Sequence, residues 1–489
     1  MFVARPLSPS RLFVAALSAA TVVALSGPGA ALAEETVPAT ETPAVETPAV
    51  ETPAVETPAV ETPPAETPAD DAPAVETHAV ETPASETPPA GTGTPAAEAP
   101  AAGTTGGTAG RDAAAAGSTP VAPAAPRSGQ TLVGELVVAW PEHEDPAVAV
   151  QRAERGPLTW IETRGGDAVR VPVEALAEDL ADDLVEEPGD VSDDVPAGAT
   201  VSVVVGGSVA DEATVEDGLE PARDVLAASV IAPAPVLEAE SLPAGVTNQV
   251  TVVMVEPSGW GRDSTTLADV VSAVEGPVRD FWLEQSGGAI DLDVTAQYDW
   301  ITTDVGCNDY YLLWDRVAEQ IGFVGGPGKH LLLYVSSTPA TQSACAYGLA
   351  EVGSSPASGG RMYVRATGTS VIAHELGHNF GLGHSSGIQC DRSLDTGTCQ
   401  TVPYRDYHDV MGISWEQVGS LNAPQARRIG VLPDPAMQSV RAPLAGPTTV
   451  TLSAQGTRTG TRAVRLTDRS GQDWWLEYRS ARGRDAWLG

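Results

Sequence analysis

The chain has 489 residues and a formal net charge of −38, from 27 Lys and Arg against 65 Asp and Glu. The charge is uneven: residues 1–33 carry +2, 34–127 carry −13, 128–245 carry −20 and 246–489 carry −7. Enough non-repetitive chain follows the Pro-rich start to bury a sizeable core, which excludes a disulfide-dependent miniprotein. No large region has the surplus of Arg and Lys that phosphates demand, which excludes nucleic acid as the main partner.

The first 33 residues read as a secretory signal peptide: Arg5 and Arg11, an apolar run from Leu12 to Leu25, then Ala31-Leu32-Ala33. That run is too short for a membrane span, and no later stretch is long and apolar enough to be one. A secreted, extracellular protein is expected. Residues 34–128 form an acidic Pro/Thr/Ala-rich spacer. From Glu41 to Ala90 it is ten pentapeptides, beginning with four copies of ETPAV. Pro in nearly every unit removes hydrogen-bond donors, like charges repel, and only Ala and Val are apolar, so no core can form there. His78 is a Pro-to-His change within one repeat and needs no function.

Residues 129–240 read as a small acidic β-rich domain, propeptide-like or accessory. Strands are expected at Leu132 to Val138, Val169 to Val173 and Thr200 to Val205, with an acidic helix over Glu174 to Glu187. This region lacks Cys. A domain over 245–432 follows. Its expected elements are a buried strand at Gln249 to Val255, an amphipathic helix at Leu267 to Glu284 and a strand at Ile290 to Trp300. Then come a helix at Tyr310 to Ile321, a buried strand at His330 to Ser336, a short edge-like strand at Arg361 to Arg365 and a helix at Ser370 to Phe380. Strands separated by helices indicate a mixed α/β layered fold. After Pro433-Asp434-Pro435, residues 436–489 are β-rich, with strand-like runs at Thr448 to Ser453, Arg462 to Leu466 and Trp474 to Tyr478. They hold eight Arg against four acids. Such a segment packs on the domain before it or contacts an acidic surface, and its charge is read as a solvated sheet face in preference to a ligand-binding one. The strand-like pattern is unfinished at Trp487-Leu488-Gly489, so a truncated end is expected.

The four cysteines, Cys307, Cys345, Cys390 and Cys399, favour disulfides in an exported chain over a thiolate metal site, since no C-x-x-C pair occurs. Three pairings are open; joining Cys390 to Cys399 closes a short loop and leaves Cys307 for Cys345.

Chemistry concentrates in residues 374–384, HELGHNFGLGH. Two His four apart on a helix differ by about 400° of rotation and about 6 Å of rise, so His374 and His378 can reach one ion. Glu375 is placed to face the water on that ion. Gly381 lets the chain turn so that His384 returns as the third ligand. Three neutral imidazoles with one open position suit a catalytic Zn2+, whose water Glu375 deprotonates as general base for attack on a peptide carbonyl.

The full H-E-x-x-H-x-x-G-x-x-H resembles the metzincin clan of zinc endopeptidases, and Asp409-Val410-Met411-Gly412 resembles its Met-turn, with Met411 the Met-turn residue. HELGHNFGLGH together with YRDYHDVMG is most similar to the gametolysin-like branch. The resemblance implies a metzincin-like catalytic domain with a twisted mixed sheet and an active-site helix. It also implies a metalloendopeptidase acting on extracellular proteins or peptides, with cell-wall or matrix contact open and oligomeric state undetermined. Ser385 follows the third ligand, as in matrixin-like members, where adamalysin-like members carry Asp. Ile413 stands where astacin-like and serralysin-like members carry a Tyr. Tyr404 and Tyr407 precede the turn and are read as packed loop residues, with oxyanion stabilisation the sharper option. His408 is read as a loop residue and His330 as structural. The matrixin-like cysteine latch is absent, because no Cys precedes Cys307, so inhibition by the acidic region would need occlusion or a carboxylate ligand. The competing function is a cell-wall-associated binding or adhesion protein with a non-catalytic domain; the intact Glu375 argues against it.

Overall fold

The computed structural model describes residues 128–180, 195–235, 247–338, 345–392, 398–413, 417–443, 446–469 and 471–488. The expected signal peptide, the ETPAV spacer and the second half of the Glu174 to Glu187 helix lie outside these residues. All described residues fall in one compact unit.

The N-terminal part contains β1 (Gln130–Pro141), α1 (Pro146–Ala153), β2 (Leu158–Thr163), β3 (Ala168–Val171), α2 (Val173–Leu180), β4 (Thr200–Val209), α3 (Glu212–Glu216) and β5 (Ala222–Ala232). Next come β6 (Thr247–Glu256), α4 (Leu267–Ala273), α5 (Arg279–Gln285), β7 (Asp291–Thr302), α6 (Tyr310–Ile321), β8 (Lys329–Val335), β9 (Gly348–Glu351), β10 (Gly360–Val364) and α7 (Thr369–Asn379). The hairpin β11 (Gly387–Cys390) and β12 (Cys399–Val402), α8 (Ala423–Arg428), and strands β13 (Met437–Arg441), β14 (Ala463–Thr467) and β15 (Asp473–Glu477) complete the chain.

Ten strands form one mixed sheet in the order β3-β2-β1-β9-β10-β8-β6-β7, with β4 on β1 and β5 on β4. The strands β10, β8, β6 and β7 run parallel, and β9 runs antiparallel to β10. Period-two alternation sorts the central side chains between two cores. Val250, Val252, Met254, Leu332 and Tyr334 face Trp282 and Leu376 from the helices on one side. Val253, Val255, Leu331, Leu333 and Val335 face Leu313 and Trp314 of α6 on the other. A strand covered on both faces must be apolar throughout, which is why β8 reads HLLLYV.

Several expectations are corrected. The helix expected over Leu267 to Glu284 is two helices joined by a π turn at Val274–Val278. There Pro277 cannot donate, and Gly276 leaves helical geometry at φ −98°, ψ −107°. The strand at Arg361 to Arg365 is not at an edge; β10 lies between β8 and β9. The run Thr448 to Ser453 forms no strand, and only a bridge from Ala454 to Tyr478 marks its neighbourhood. Residues Gly483–Leu488 form a 3-10 turn rather than the start of a strand.

The N-terminal strands do not make a sheet of their own. β1 pairs with β4 through its first half and with β2 further along; its last three residues add to β9, Ala139 opposite Glu351, Trp140 opposite Ala350 and Pro141 opposite Leu349. A polar contact reinforces the junction: Arg361 of β10 reaches Glu162 of β2 at 3.2 Å and Asp315 of α6 at 2.9 Å, and also pairs with Glu351.

Cys307 is bonded to Cys345 and Cys390 to Cys399, the latter closing the β11–β12 hairpin. No helix among the described residues is long and apolar enough to cross a membrane.

Candidate metal centre

Helix α7 carries the first two motif histidines on its buried face. It ends with Phe380, after which Gly381 adopts φ +86°. The Gly381 N–H donates to the His378 carbonyl at 2.8 Å and the Leu382 N–H to the Gly377 carbonyl at 2.9 Å. These two bonds are the Schellman pattern, and they reverse the chain so that His384 comes back over the helix. A Cβ on Gly381 would also stand 2.9 Å from the Gly353 carbonyl oxygen, so only glycine fits this turn.

The three imidazoles converge. Ring centroids lie 4.8 Å apart for His374 and His378, 5.4 Å for His374 and His384, and 4.8 Å for His378 and His384. The His374 Nδ1 is 2.7 Å from the Val410 carbonyl and the His378 Nδ1 is 2.9 Å from the Leu382 carbonyl. As N–H donors at Nδ1, both rings present the Nε2 lone pair inward. Burial lowers the pKa of His378, and brings that of His384 down to about 3, keeping these rings neutral.

Met411 lies beneath them. A Cβ on Gly377 would meet its Sδ at 2.3 Å, so the motif's Gly377 makes room for the thioether under the helix. The turn itself is clamped by the buried Asp409, which accepts from Ser385 Oγ at 2.9 Å, from the Met411 N–H at 2.7 Å and from the Asn422 N–H. Ser385 therefore ties the chain just after His384 to the turn at Asp409–Gly412. Glu375 is fully buried beside Gly348, and both its carboxylate oxygens lack a hydrogen-bond partner. Burial and the charge of Glu142 push its pKa well up.

Glu142 is the residue the sequence reading missed. It follows β1 directly, its N–H donating to the Gly348 carbonyl at 2.8 Å and its carbonyl accepting from the Tyr347 N–H at 2.9 Å. This backbone pairing delivers the side chain into the centre. Its Oε1 stands 3.4 Å from His374 Nε2, 3.7 Å from His378 Nε2 and 2.9 Å from His384 Nε2. Burial pushes the Glu142 pKa up, but the adjoining His374 and His384 outweigh it and hold the carboxyl well below its usual range. Tyr404 donates to the same Oε1 at 2.8 Å.

These residues fit a zinc ion. Tetrahedral bonds of about 2.0–2.1 Å place neighbouring ligand atoms roughly 3.4 Å apart, and the three Nε2 to Oε1 distances scatter around that value. One donor atom from each of Glu142, His374, His378 and His384 falls within 4.8 Å of the others. The His378 Nε2 is buried with no hydrogen-bond partner, which water or an apolar wall would not leave in a settled core.

The remaining candidates lie apart. Tyr407 is 48 % exposed, with the Arg405 guanidinium near its ring. His408 packs against Trp487, at 5.3 Å between rings. His330 is buried and bonded to Asn379 Oδ1 and Asn248 Oδ1, both at 3.0 Å, with burial lowering its pKa to about 4; its role is in the core.

The mixed sheet, the helix packed on it and the convergent histidines together build a candidate metal site. Residues 335–385 match the family of reprolysin-like metallo-peptidases, M12B. Among solved structures the chain is similar to metalloproteinase-II from Bacteroides fragilis, at 14 % identity and a TM-score of 0.23, covering 56 % of this chain and 75 % of that one. No curated protein matches.

Proposed function

We propose that the protein is a secreted zinc-dependent metalloendopeptidase of extracellular proteins, of the gametolysin-like branch. In this reading His374, His378 and His384 hold the metal, Glu375 is the general base and Met411 the Met-turn residue. The observation that carries it is the position of Glu142 Oε1, which lies between 2.9 and 3.7 Å from the Nε2 atoms of all three histidines.

Zinc, when bound, would acidify a water and polarise the substrate carbonyl. Everything else falls to the chain. Once β1 is removed, β9 becomes an edge and offers to an extended substrate strand the backbone groups it now gives to Ala139–Pro141. Glu375 takes a proton from the attacking water and passes it to the leaving amine, and its buried position shields that proton from bulk water. Met411 and Asp409 hold the histidine framework rigid.

Residues 129–240 act as a propeptide. Their strand fills the substrate edge and their Glu142 supplies a fourth ligand, the carboxylate alternative to a cysteine latch. The chain then divides into a signal peptide at 1–33, a spacer at 34–128, this inhibitory segment, a catalytic domain at 245–432 and a C-terminal segment at 436–489. The two disulfides and the N-terminal export pattern support an extracellular site of action.

The test is casein zymography of the full-length secreted chain before and after limited proteolysis, with and without a chelator. Cleavage that appears on release of the N-terminal segment and disappears with chelator is expected. Zinc-loaded, correctly trimmed protein that cuts no protein substrate would defeat the endopeptidase reading. In the untrimmed chain, Glu142→Ala is expected to raise the accessibility of the metal to a small hydroxamate at least tenfold; unchanged accessibility would remove the carboxylate latch.

A further inference from the structure

Tyr404 is placed as an active-site residue rather than as part of the loop packing. It sits at φ +58°, a conformation a tyrosine adopts only when its surroundings impose it. The Met-turn imposes it here: the Ile413 N–H donates to the Tyr404 carbonyl at 3.0 Å, and a Cβ on Gly412 would stand 3.1 Å from that same oxygen. The result is a fully buried ring leaning on His384, with 3.9 Å between centroids. Its hydroxyl points at the place where the three Nε2 atoms converge.

That hydroxyl bonds to one group, Glu142 Oε1. It finds no partner within residues 247–488 among those described. A tyrosine serving only the packing of its own domain would bond within that domain, since a buried phenol needs a partner. Here the partner belongs to a strand lying along the substrate edge, and its carboxylate oxygen stands in for the oxygen of a scissile carbonyl.

We propose that Tyr404 is a catalytic residue, whose hydroxyl donates a hydrogen bond to the substrate carbonyl oxygen as that oxygen becomes an oxyanion. This rests on the peptidase reading above. Water oxygen bonds to the carbonyl carbon, and the carbonyl π pair moves onto oxygen, where the Tyr404 O–H receives it. The water proton goes to Glu375. On collapse the C–N bond breaks and the leaving nitrogen takes the proton back from Glu375. Tyr404 keeps its own proton throughout. The same donor serves the latent chain by holding the Glu142 carboxylate. Tyr407, three residues on and exposed, has no such part.

Tyr404→Phe keeps the ring on His384 and removes only the donor. In the full-length secreted chain matured by limited proteolysis, kcat is expected to fall about a hundredfold, with KM within about threefold, an effect only on the developing charge. Affinity for a phosphinic peptide that mimics the tetrahedral intermediate should fall by a similar factor, while zinc content and melting temperature stay those of the parent. Tyr407→Phe should change none of these. A kcat loss below about threefold, a change confined to KM, loss of zinc or failure to fold would each place the hydroxyl outside catalysis and overturn the inference. A parent chain that binds zinc and cleaves nothing would defeat the peptidase reading itself and take this inference with it.

Discussion

At the scale of single residues, Glu375 is the sharpest test. It is buried, unbonded at both oxygens and adjacent in sequence to His374, and it is not one of the four residues whose donor atoms converge. Glu375→Gln keeps the shape and removes the base, so cleavage is expected to fall by about 10²–10⁴ while zinc content stays at parent level. Equal loss of zinc would instead make Glu375 a ligand or a framework residue. Gly381→Ala tests the turn: forcing a Cβ into φ +86° against the Gly353 carbonyl should cost of the order of 1–3 kcal/mol, read as a lowered melting temperature together with weaker metal retention. The motif residues were legible because an i, i+4 pair and a glycine turn are local features. Glu142 was not, since 242 residues separate it from His384, and nothing in its neighbourhood distinguishes it from the other acids of a strongly acidic region. Tyr404 was visible only as one of two tyrosines before the turn; choosing between them took the direction of the loop.

At the scale of elements, periodicity located β6, β7, β8, α6 and α7, because each is packed on one consistent face or on two. It overran at Gly276-Pro277, where the apolar spacing continues through a backbone break. It missed β9, which is only four residues long, and it missed that β1 would leave its own neighbours to add to that short strand. The joint between the two parts of the sheet is also expected to respond to pH. Glu220, just before β5, meets Asp309, the N-cap of α6, and the Glu220 N–H donates to the Asn308 carbonyl. Burial, then the charge of Asp309, raises Glu220 to about 7; burial also raises Asp309, while Arg170 nearby opposes both shifts. A carboxyl whose folded pKa lies above its unfolded value of about 4.3 stabilises the contact fully below that value and loses the contribution as pH rises through about 7. The segment should therefore be held more firmly at pH 5 than at pH 8. Melting of the untrimmed chain across that range checks this, and Glu220→Gln, which cannot ionise, should flatten the dependence. A slope that survives the substitution would assign it to other groups.

At the scale of the whole molecule, the C-terminal segment is not a solvated appendage. Arg479 is buried, bonded through Nε to Glu477 Oε1 at 2.7 Å and through Nη1 to the His408 carbonyl at 3.2 Å and to Asp485 Oδ1 at 3.4 Å. The two acids reach onward to the chain that follows the Asp409–Gly412 turn: Glu477 Oε2 accepts from the Ala423 N–H at 2.6 Å and Asp485 Oδ1 from the Ser420 N–H at 2.8 Å. Those backbone groups lead into α8, whose N-cap Asn422 bonds to Ser385 and Asp406. The loop after His384, α8 and the C-terminal strands are thus one hydrogen-bonded assembly, and the surplus of Arg in 436–489 is partly consumed inside it. Removing the cation alone leaves two carboxylates buried without compensation, so Arg479→Leu is expected to cost about 3–5 kcal/mol. Calorimetry should show a single transition moved to lower temperature, because the segment and the metal loop unfold together. Adding Glu477→Gln and Asp485→Asn should recover part of the loss, since neutral amides need no counter-charge. If Arg479→Leu instead splits off a separate low-temperature transition and leaves zinc retention untouched, the C-terminal strands are an independent module resting on the residues before them.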